Sequence, residues 1–320
     1  MIKTSVIIPG YNGENYIAEC MDALVNQSRK DFDVIVVDNA STDSSPEIIK
    51  SYSDRLQIKI IQNDENKGFA KAVNQGIQAS CADYVILLNN DTHAGRHFVE
   101  KLVDAMEEDE MVFSAQALML RYDDRTLTDS AGDYFCALGV AFSMGKDRPA
   151  KTFTEKKEIF SACGGAAIYR KKLFDEIGYF DEEFFAYLED VDMGYRARLH
   201  GYKNIMVPAA KVLHIGSATS GSRHNEFKVK LAARNSVFLM YKNFAPWQWA
   251  VNFLPVIAGM FIKTMYFCRK KLAGAYLKGL LEGFLNCRKL HRTSGVKSPE
   301  YSKTEKELFV NILRICGVVK

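Results

Sequence analysis

The 320-residue chain is 48% hydrophobic and carries 42 Lys/Arg against 39 Asp/Glu, a net charge of +3, which excludes a disordered or collagen-like polymer and allows a full hydrophobic core. That balance hides an asymmetry: residues 228–320 hold 17 of the cations and 4 of the acids, so an acidic front precedes a strongly basic tail. Seven scattered cysteines (20, 81, 136, 163, 268, 287 and 316) without a CxxC argue against a disulfide framework or structural zinc, and for a reducing, cytoplasmic setting.

The N-terminus runs straight into a strand pattern and lacks the basic start and cleavage site of a signal peptide. Four short apolar runs, Ser5–Ile8, Val34–Val37, Ile58–Ile61 and Tyr84–Leu88, read as buried strands rich in branched side chains. Helical spacing fills the gaps: Tyr16–Gln27, a start at Ser45-Pro46, and Phe69–Ala79. This alternation predicts an α/β fold with a mostly parallel sheet, whose ligands bind beyond the carboxyl ends of the strands. The segments at those ends are polar and turn-forming: Pro9 to Asn12, Asp38 to Asp43, Asn63 to Gly68 and Asn89 to Thr92. Residues 111–170 show a less regular pattern, with a charged, mobile loop expected over 145–157. Ser161 to Ile168 is a small-residue stretch that lets a backbone or ligand approach closely.

Asp91 follows a buried strand at the binding edge, where a carboxylate either caps the next helix or holds a divalent cation; oxygen ligands suit Mg²⁺ or Mn²⁺. Asp38 has the same ambiguity. Further on, Glu189, Asp190 and Asp192 place three carboxylates within four residues, directly after the run Phe184 to Leu188. Acids are favoured at a helix start, and Asp192 with Arg196 has the spacing of a surface ion pair. Arg196 and Arg198 read as a solvated helix face. His214, after Val212-Leu213, is either a hydrogen-bonded core residue or a ligand.

Five stretches in order carry a resemblance: SVIIPGYN (Ser5 to Asn12), VVDNASTD (Val36 to Asp43), NKGFAKAVNQG (Asn66 to Gly76), LNND (Leu88 to Asp91) and EDVD (Glu189 to Asp192). Over about residues 3–245 the chain resembles the inverting glycosyltransferases of family 2, with the GT-A fold. Its Asn-Asn-Asp, Arg234-Asn235 and Lys242-Asn243 look like the branch with bacterial rhamnosyltransferases. The resemblance implies that Tyr11 and Asp38 receive the pyrimidine base, with Asn39 and Asp43 supporting that turn and Pro9 also in the nucleotide site, that Asn66, Gly68, Phe69 and Lys71 line the nucleotide and diphosphate side with Asn89 and Asn90, and that Asp91 and His214 hold the metal. Asn89 stands where many relatives carry the first Asp of DxD, which leaves Asp91 as the main acidic ligand. Asp190 would be the general base, Glu189 and Asp192 acceptor or support residues, and Gly164 and Gly165 would shape the sugar or acceptor pocket. A lid after His214 would offer Ser220 and Arg223 to the diphosphate.

Residues 246–320 read as a separate basic helical tail. Trp247 to Phe267 is apolar, but Gln248, Asn252, Pro255 and Lys263 interrupt it, which is poor for a spanning helix. Leu272, Tyr276, Leu277, Leu280, Leu281, Phe284 and Leu285 form a stripe flanked by cations, suited to an anionic membrane surface or to packing on the catalytic domain or a second subunit. No nucleic-acid motif accompanies the charge. The expectation is a metal-assisted enzyme, peripheral on the inner face of the cell membrane. It would move a sugar from a nucleoside-diphosphate donor, dTDP-β-L-rhamnose or a UDP-hexose, to a lipid-diphosphate-linked glycan. The rival is a non-catalytic nucleotide-sugar or glycan-binding protein on the same fold. A sugar nucleotidyltransferase would want an Arg-containing phosphate loop after the first strand, which Pro9 to Gly13 lacks.

Overall fold

The computed structural model describes residues 2–216, 225–294, 296 and 298–318. The four apolar runs become strands: β1 (Thr4–Gly10), then α1 (Ile17–Val25), β2 (Phe32–Asp38), α2 (Ser45–Lys50), β3 (Ile58–Gln62), α3 (Gly68–Ala79) and β4 (Tyr84–Leu88). All four pair in parallel, with Val6 opposite both Val34 and Ile86. The branched side chains of β1, β2 and β4 are buried on both faces, Val6 and Ile8 in one apolar cluster and Ile7 in the other, while those of the edge strand β3 are half-buried. Ile7 lies on α3 so closely that a Cβ at Gly76 would stand 2.4 Å from it, which is why the helix carries glycine there.

The second half is mixed rather than parallel. It comprises β5 (Thr92–Ala94), α4 (Phe98–Glu108), β6 (Val112–Arg121), β7 (Thr128–Ser130), β8 (Asp133–Cys136), β9 (Val140–Ser143), β10 (Lys157–Ile159), β11 (Ala166–Arg170), α5 (Phe174–Ile177), α6 (Glu189–Leu199) and β12 (Lys203–His214). The large sheet runs β10-β12-β6-β11-β4-β1-β2-β3, with β5 on β12 and β7 on β6. β11 is antiparallel to both β4 and β6, whereas β12 runs parallel to β6. The irregular middle of the sequence therefore contains β6 to β11. Its strands escape a pattern reading because β6 buries polar residues: Ser114 Oγ donates to Asn204 Oδ1 (2.7 Å) and Gln116 Nε2 to Ser130 Oγ (3.0 Å). The loop over 145–157 is pinned to β7, with Thr128 N donating to Arg148 O (2.8 Å) and Asp147 N to Thr128 O (2.9 Å).

The chain closes with α7 (Glu226–Asn243), α8 (Pro246–Arg269), α9 (Ala273–Asn286) and α10 (Ser298–Ile315). The tail expected from residue 246 onward does not pack as a separate body. Tyr276 and Leu280 of α9 and Leu308 of α10 share one buried cluster with Phe135, Tyr195 and Phe238. Asn311 Nδ2 also donates to Phe135 O (2.8 Å). The expected stripe on α9 is split: Tyr276 and Leu280 are buried, while Leu277, Leu281, Phe284 and Leu285 are exposed.

Candidate active site

The carboxyl ends of β1, β2 and β4 open onto a cleft of about 640 Å³. Pro9, Tyr11, Asn39, Asn66, Gly68, Phe69, Asn89, Asn90, Asp91, Gly164, Gly165, Glu189, Asp190 and His214 all line it. Residues more than a hundred apart in sequence thus meet at one sheet edge. On the nucleotide side, Asn39 Nδ2 donates to Gly68 O (3.2 Å) and Asn66 Oδ1 accepts from Gly68 N (3.0 Å). Gly68 has φ +82° and a Cβ there would stand 2.5 Å from Phe185 Cδ2, so no other residue fits that close approach. Asp38 lies just beneath, 1% exposed; its Oδ2 accepts from Ser41 N (3.1 Å), and its buried Oδ1 has no hydrogen-bond partner. An unsatisfied buried acceptor at this place fits a donor N–H on a ligand. Lys71 departs from expectation: it pairs with Glu182 (3.0 Å) and is not part of the cleft lining.

Backbone pairing sets Asp91 beside His214. Thr92 of β5 pairs with His214 of β12, and Ile215 N donates to Asp91 O (3.1 Å). His214 Nε2 consequently lies 3.4 Å from Asp91 Oδ1, while Nδ1 lies 2.8 Å from Asp129 Oδ2 on β7. Lys146 pairs with the other oxygen of Asp129. Burial works against the imidazolium, yet the two carboxylates outweigh it and His214 is pushed up to about 9. Burial likewise favours the neutral form of Asp129, and His214 and Lys146 still draw it down to about 2.

Within the same cleft, Asp190 Oδ2 accepts from Gly164 N (3.1 Å) and Oδ1 from Val191 N (2.8 Å) at the start of α6. Burial outweighs the helix N-terminus, and the Asp190 carboxyl stands above the usual carboxylate range despite those N–H groups. Asp133 and Glu189 line the same cleft, and both are pushed up further, by burial first and then by the charge of Asp190. Glu189 Oε2 is buried without a hydrogen-bond partner. Carboxyls this close do not all ionise, and the two backbone donors single out Asp190 as the one that carries charge most readily. Asp133, Cys163 and Asp190 also bring donor atoms within 4.8 Å of one another. Burial raises the Cys163 thiol well above its ordinary value, and sulfur is too soft a donor to suit Mg²⁺ or Mn²⁺. The hard oxygen and nitrogen pair at Asp91 and His214 does.

Asp192 and its neighbours correct the sequence reading. Asp192 is 0% exposed, accepting from Arg196 Nε (2.9 Å), Lys242 Nζ (3.0 Å) and Asn243 Nδ2 (2.7 Å). It faces inward from α6 and is not part of the cleft lining, and its pair with Arg196 is internal rather than on the surface. Burial notwithstanding, Lys242 and Arg196 hold its carboxyl below the usual range. Arg196 also donates to the carbonyls of Ile177, Gly178 and Tyr179, and Arg198 ties α6 to Glu158 and Glu307, so neither forms a solvated face.

The apolar run before α6 is backbone-strained. Phe185, Tyr187 and Leu188 have φ of 63°, 71° and 69°, costing about 1–3 kcal/mol each for non-glycine residues. Asn235 Nδ2 holds the run by donating to the carbonyls of Phe184 (2.9 Å), Ala186 (2.9 Å) and Tyr187 (2.7 Å). Arg234 donates to the carbonyls of Glu183 (2.9 Å) and Phe184 (3.0 Å). Arg234-Asn235 of α7 therefore supports the turn before α6, while Lys242-Asn243 anchors Asp192 within α6. Asp129, Asp133 and Lys228, which also line the cleft, went unforeseen: the two acids sit in the segment without a strand pattern, where nothing separates them from other surface acids. Ser220 and Arg223 lie outside the described residues.

Residues 5–178 match the family model Glycosyl transferase family 2. The chain belongs to glycosyl transferase family 2. This glycosyltransferase is 34% identical over 190 residues to glycosyltransferase GlyA of Streptococcus pneumoniae serotype 4, covering 55% of this chain and 26% of that protein. It is 26% identical over 276 residues to the N-acetylglucosaminyl-diphospho-decaprenol L-rhamnosyltransferase of Mycobacterium tuberculosis, covering 76% of this chain and 86% of that one. Its fold is the GT-A fold. The solved mannosyltransferase PcManGT of Pyrobaculum calidifontis, in complex with GDP-Man and Mn²⁺, superimposes with a TM-score of 0.57 at 16% identity, covering 98% of this chain and 80% of that one.

Proposed function

We propose that the protein transfers a sugar from a nucleoside-diphosphate donor to an acceptor hydroxyl by single displacement, with Asp190 as general base. The observation that carries this reading is the convergence of Asp91 and Asp190 on one cleft. Asp190 takes the acceptor's hydroxyl proton, the freed oxygen bonds to the anomeric carbon, and the carbon–oxygen bond to the diphosphate breaks with its electron pair on the departing group. Gly164 N–H and Val191 N–H hold the base in place. Glu189, whose Oε2 lacks a partner, is placed to hydrogen-bond the acceptor. Tyr11 offers its ring and Asp38 its orphan oxygen to the base of the nucleotide.

Asp91 and His214 would hold a divalent cation: their Oδ1 and Nε2 lie 3.4 Å apart, and a carboxylate oxygen with an imidazole nitrogen suits such an ion. Mg²⁺ or Mn²⁺ bound there supplies charge that offsets the leaving diphosphate. Asp129 orients the ring through Nδ1, so Asp129→Ala is expected to weaken Mn²⁺ binding by about 10–100-fold. Electron paramagnetic resonance of free Mn²⁺ reads this directly; unchanged affinity in Asp129→Ala alongside a loss in His214→Ala would refute the orienting role.

For the donor we favour dTDP-β-L-rhamnose, with UDP-hexose second, and for the acceptor a lipid-diphosphate-linked glycan. The rhamnosyltransferase relative, matched over most of its length, supports both. Release of nucleoside diphosphate from a panel of dTDP-, UDP- and GDP-sugars, with Mg²⁺ or Mn²⁺ and a polyprenyl-diphosphate sugar, tests the reading. Turnover of dTDP-rhamnose that needs both metal and acceptor is expected. Binding of nucleotide sugar without turnover of any donor would favour a non-catalytic binder instead.

A further inference from the structure

α8 is inside-out with respect to water. Its buried residues include Gln248 and Asn252, the polar interruptions of its sequence, together with Val256 and Gly259. Gln248 Nε2 and Asn252 Nδ2 donate to Glu305 of α10 (2.6 and 2.8 Å). Gly259 rests on Leu138, where a Cβ would stand 2.0 Å from the carbonyl oxygen. Leu254 is 73% exposed and Phe261 66%, with Phe253, Ile257 and Ile262 exposed beside them. A helix docked on a soluble domain points its apolar stripe inward; here protein covers Gln248 and Asn252 together with Val256 and Gly259 and leaves a row of large apolar side chains bare, a surface that marks an interaction site.

Charge around α8 names the occupant. Arg269, Lys270 and Lys271 are exposed at the α8–α9 turn, and Arg288 and Lys289 at the far end of α9. Glu282 is the sole carboxylate between residues 246 and 292, and Lys230 pairs with it (2.6 Å). A second copy of this face would set cations against cations, whereas an anionic bilayer accepts both the apolar stripe and its basic rim. We propose that α8 lies along the surface of an anionic bilayer, with its outward apolar face among the acyl chains.

By length and composition α8 could also cross a membrane, with 22% of its apolar stretch buried. Both of its ends, however, return to the same body. α7 stops at Asn243, directly before it, and α9 runs back along α7, where Gly279 and Gly283 lie against the carbonyls of Lys230 and Arg234. The helix therefore rests on the interface instead of carrying α9 to the far side. Leu138, which seats Gly259, lies in the turn between β8 and β9, and this hairpin supplies Asp133, Phe142 and Ser143 to the cleft wall beside Asp190. One hairpin thus joins the bilayer face to the acceptor side.

The test is flotation of the full chain with phosphatidylcholine vesicles, with and without phosphatidylglycerol. Wild type is expected to float with the mixed vesicles, less with phosphatidylcholine alone, and to lose binding at high salt; the double variant Leu254→Glu/Phe261→Glu is expected to stay at the bottom while melting like wild type. A wild type that ignores anionic vesicles overturns the proposal. So does a lipid-free dimer that the double variant dissolves, which would assign the face to a second copy. The proposal stands on the surface of α8 alone: an inactive protein that floats supports it, and an active one that does not float leaves the transfer chemistry standing.

Discussion

Asp190→Asn is expected to slow sugar transfer by about 10²–10⁴-fold, the usual contribution of a positioned general base, while nucleoside diphosphate binding survives because Asp38, Asn39 and Gly68 are untouched. The same substitution is expected to raise the melting temperature at neutral pH. Burial lifts the folded-state pKa of Asp190 above its ordinary value, so the unfolded chain ionises this group more readily than the folded one. Wild type therefore loses stability as pH rises from the ordinary carboxyl pKa through the folded one, and Asn is free of that penalty. Calorimetry at neutral and acid pH checks the sign: the gap between variant and wild type should shrink on acidification. A variant that is inactive and less stable at neutral pH would mean that Asp190 supports the helix start rather than the chemistry.

Asp192→Ala should act in the opposite way. It would leave Lys242 and Arg196, 7% and 3% exposed, without their shared carboxylate, and breaking a buried ion pair from one side costs about 3–5 kcal/mol. A lower urea midpoint is expected, with activity falling in step with the folded fraction. Because its folded-state pKa is depressed, the stabilisation from Asp192 is present above the ordinary carboxyl pKa and fades as pH drops through the folded value. An unchanged urea midpoint with a raised acceptor KM would instead return Asp192 to the acceptor site.

The contrast between these neighbours shows what a sequence can carry. Strands that are apolar on both faces, such as Ile7-Ile8 and Ile86-Leu87, announce themselves, and the polar residues that end them mark the sheet edge where the cleft opens. Of the fourteen site assignments on the cleft wall, the nine from Pro9 to Asp91 lie at these strand ends, whereas Gly164, Gly165, Glu189, Asp190 and His214 rest on the family resemblance. Lys71 and Asp192 fall off that wall, because helix periodicity says which residues share a face but not what that face meets. The fate of Asp192 is decided by Lys242 and Asn243, 50 and 51 residues on. Asp129 and Asp133 were invisible for a different reason: β6 buries Ser114 and Gln116, so the strand beside β7 gives no alternating signal. In α8 the polarity pattern was legible and its direction was not. The same Gln248 and Asn252 that weaken a spanning reading are the residues that face protein, and only the position of Glu305 reveals it.

The central claim is that Asp190 delivers an acceptor oxygen to the face of the sugar opposite the diphosphate. Proton NMR of the first-formed glycoside tests this most directly, by comparing the anomeric configuration of the product with that of the donor. Inversion at the anomeric carbon, with no product from Asp190→Asn on the same time scale, is the expected result. Retention of configuration would require a different route through the cleft and would contradict the account.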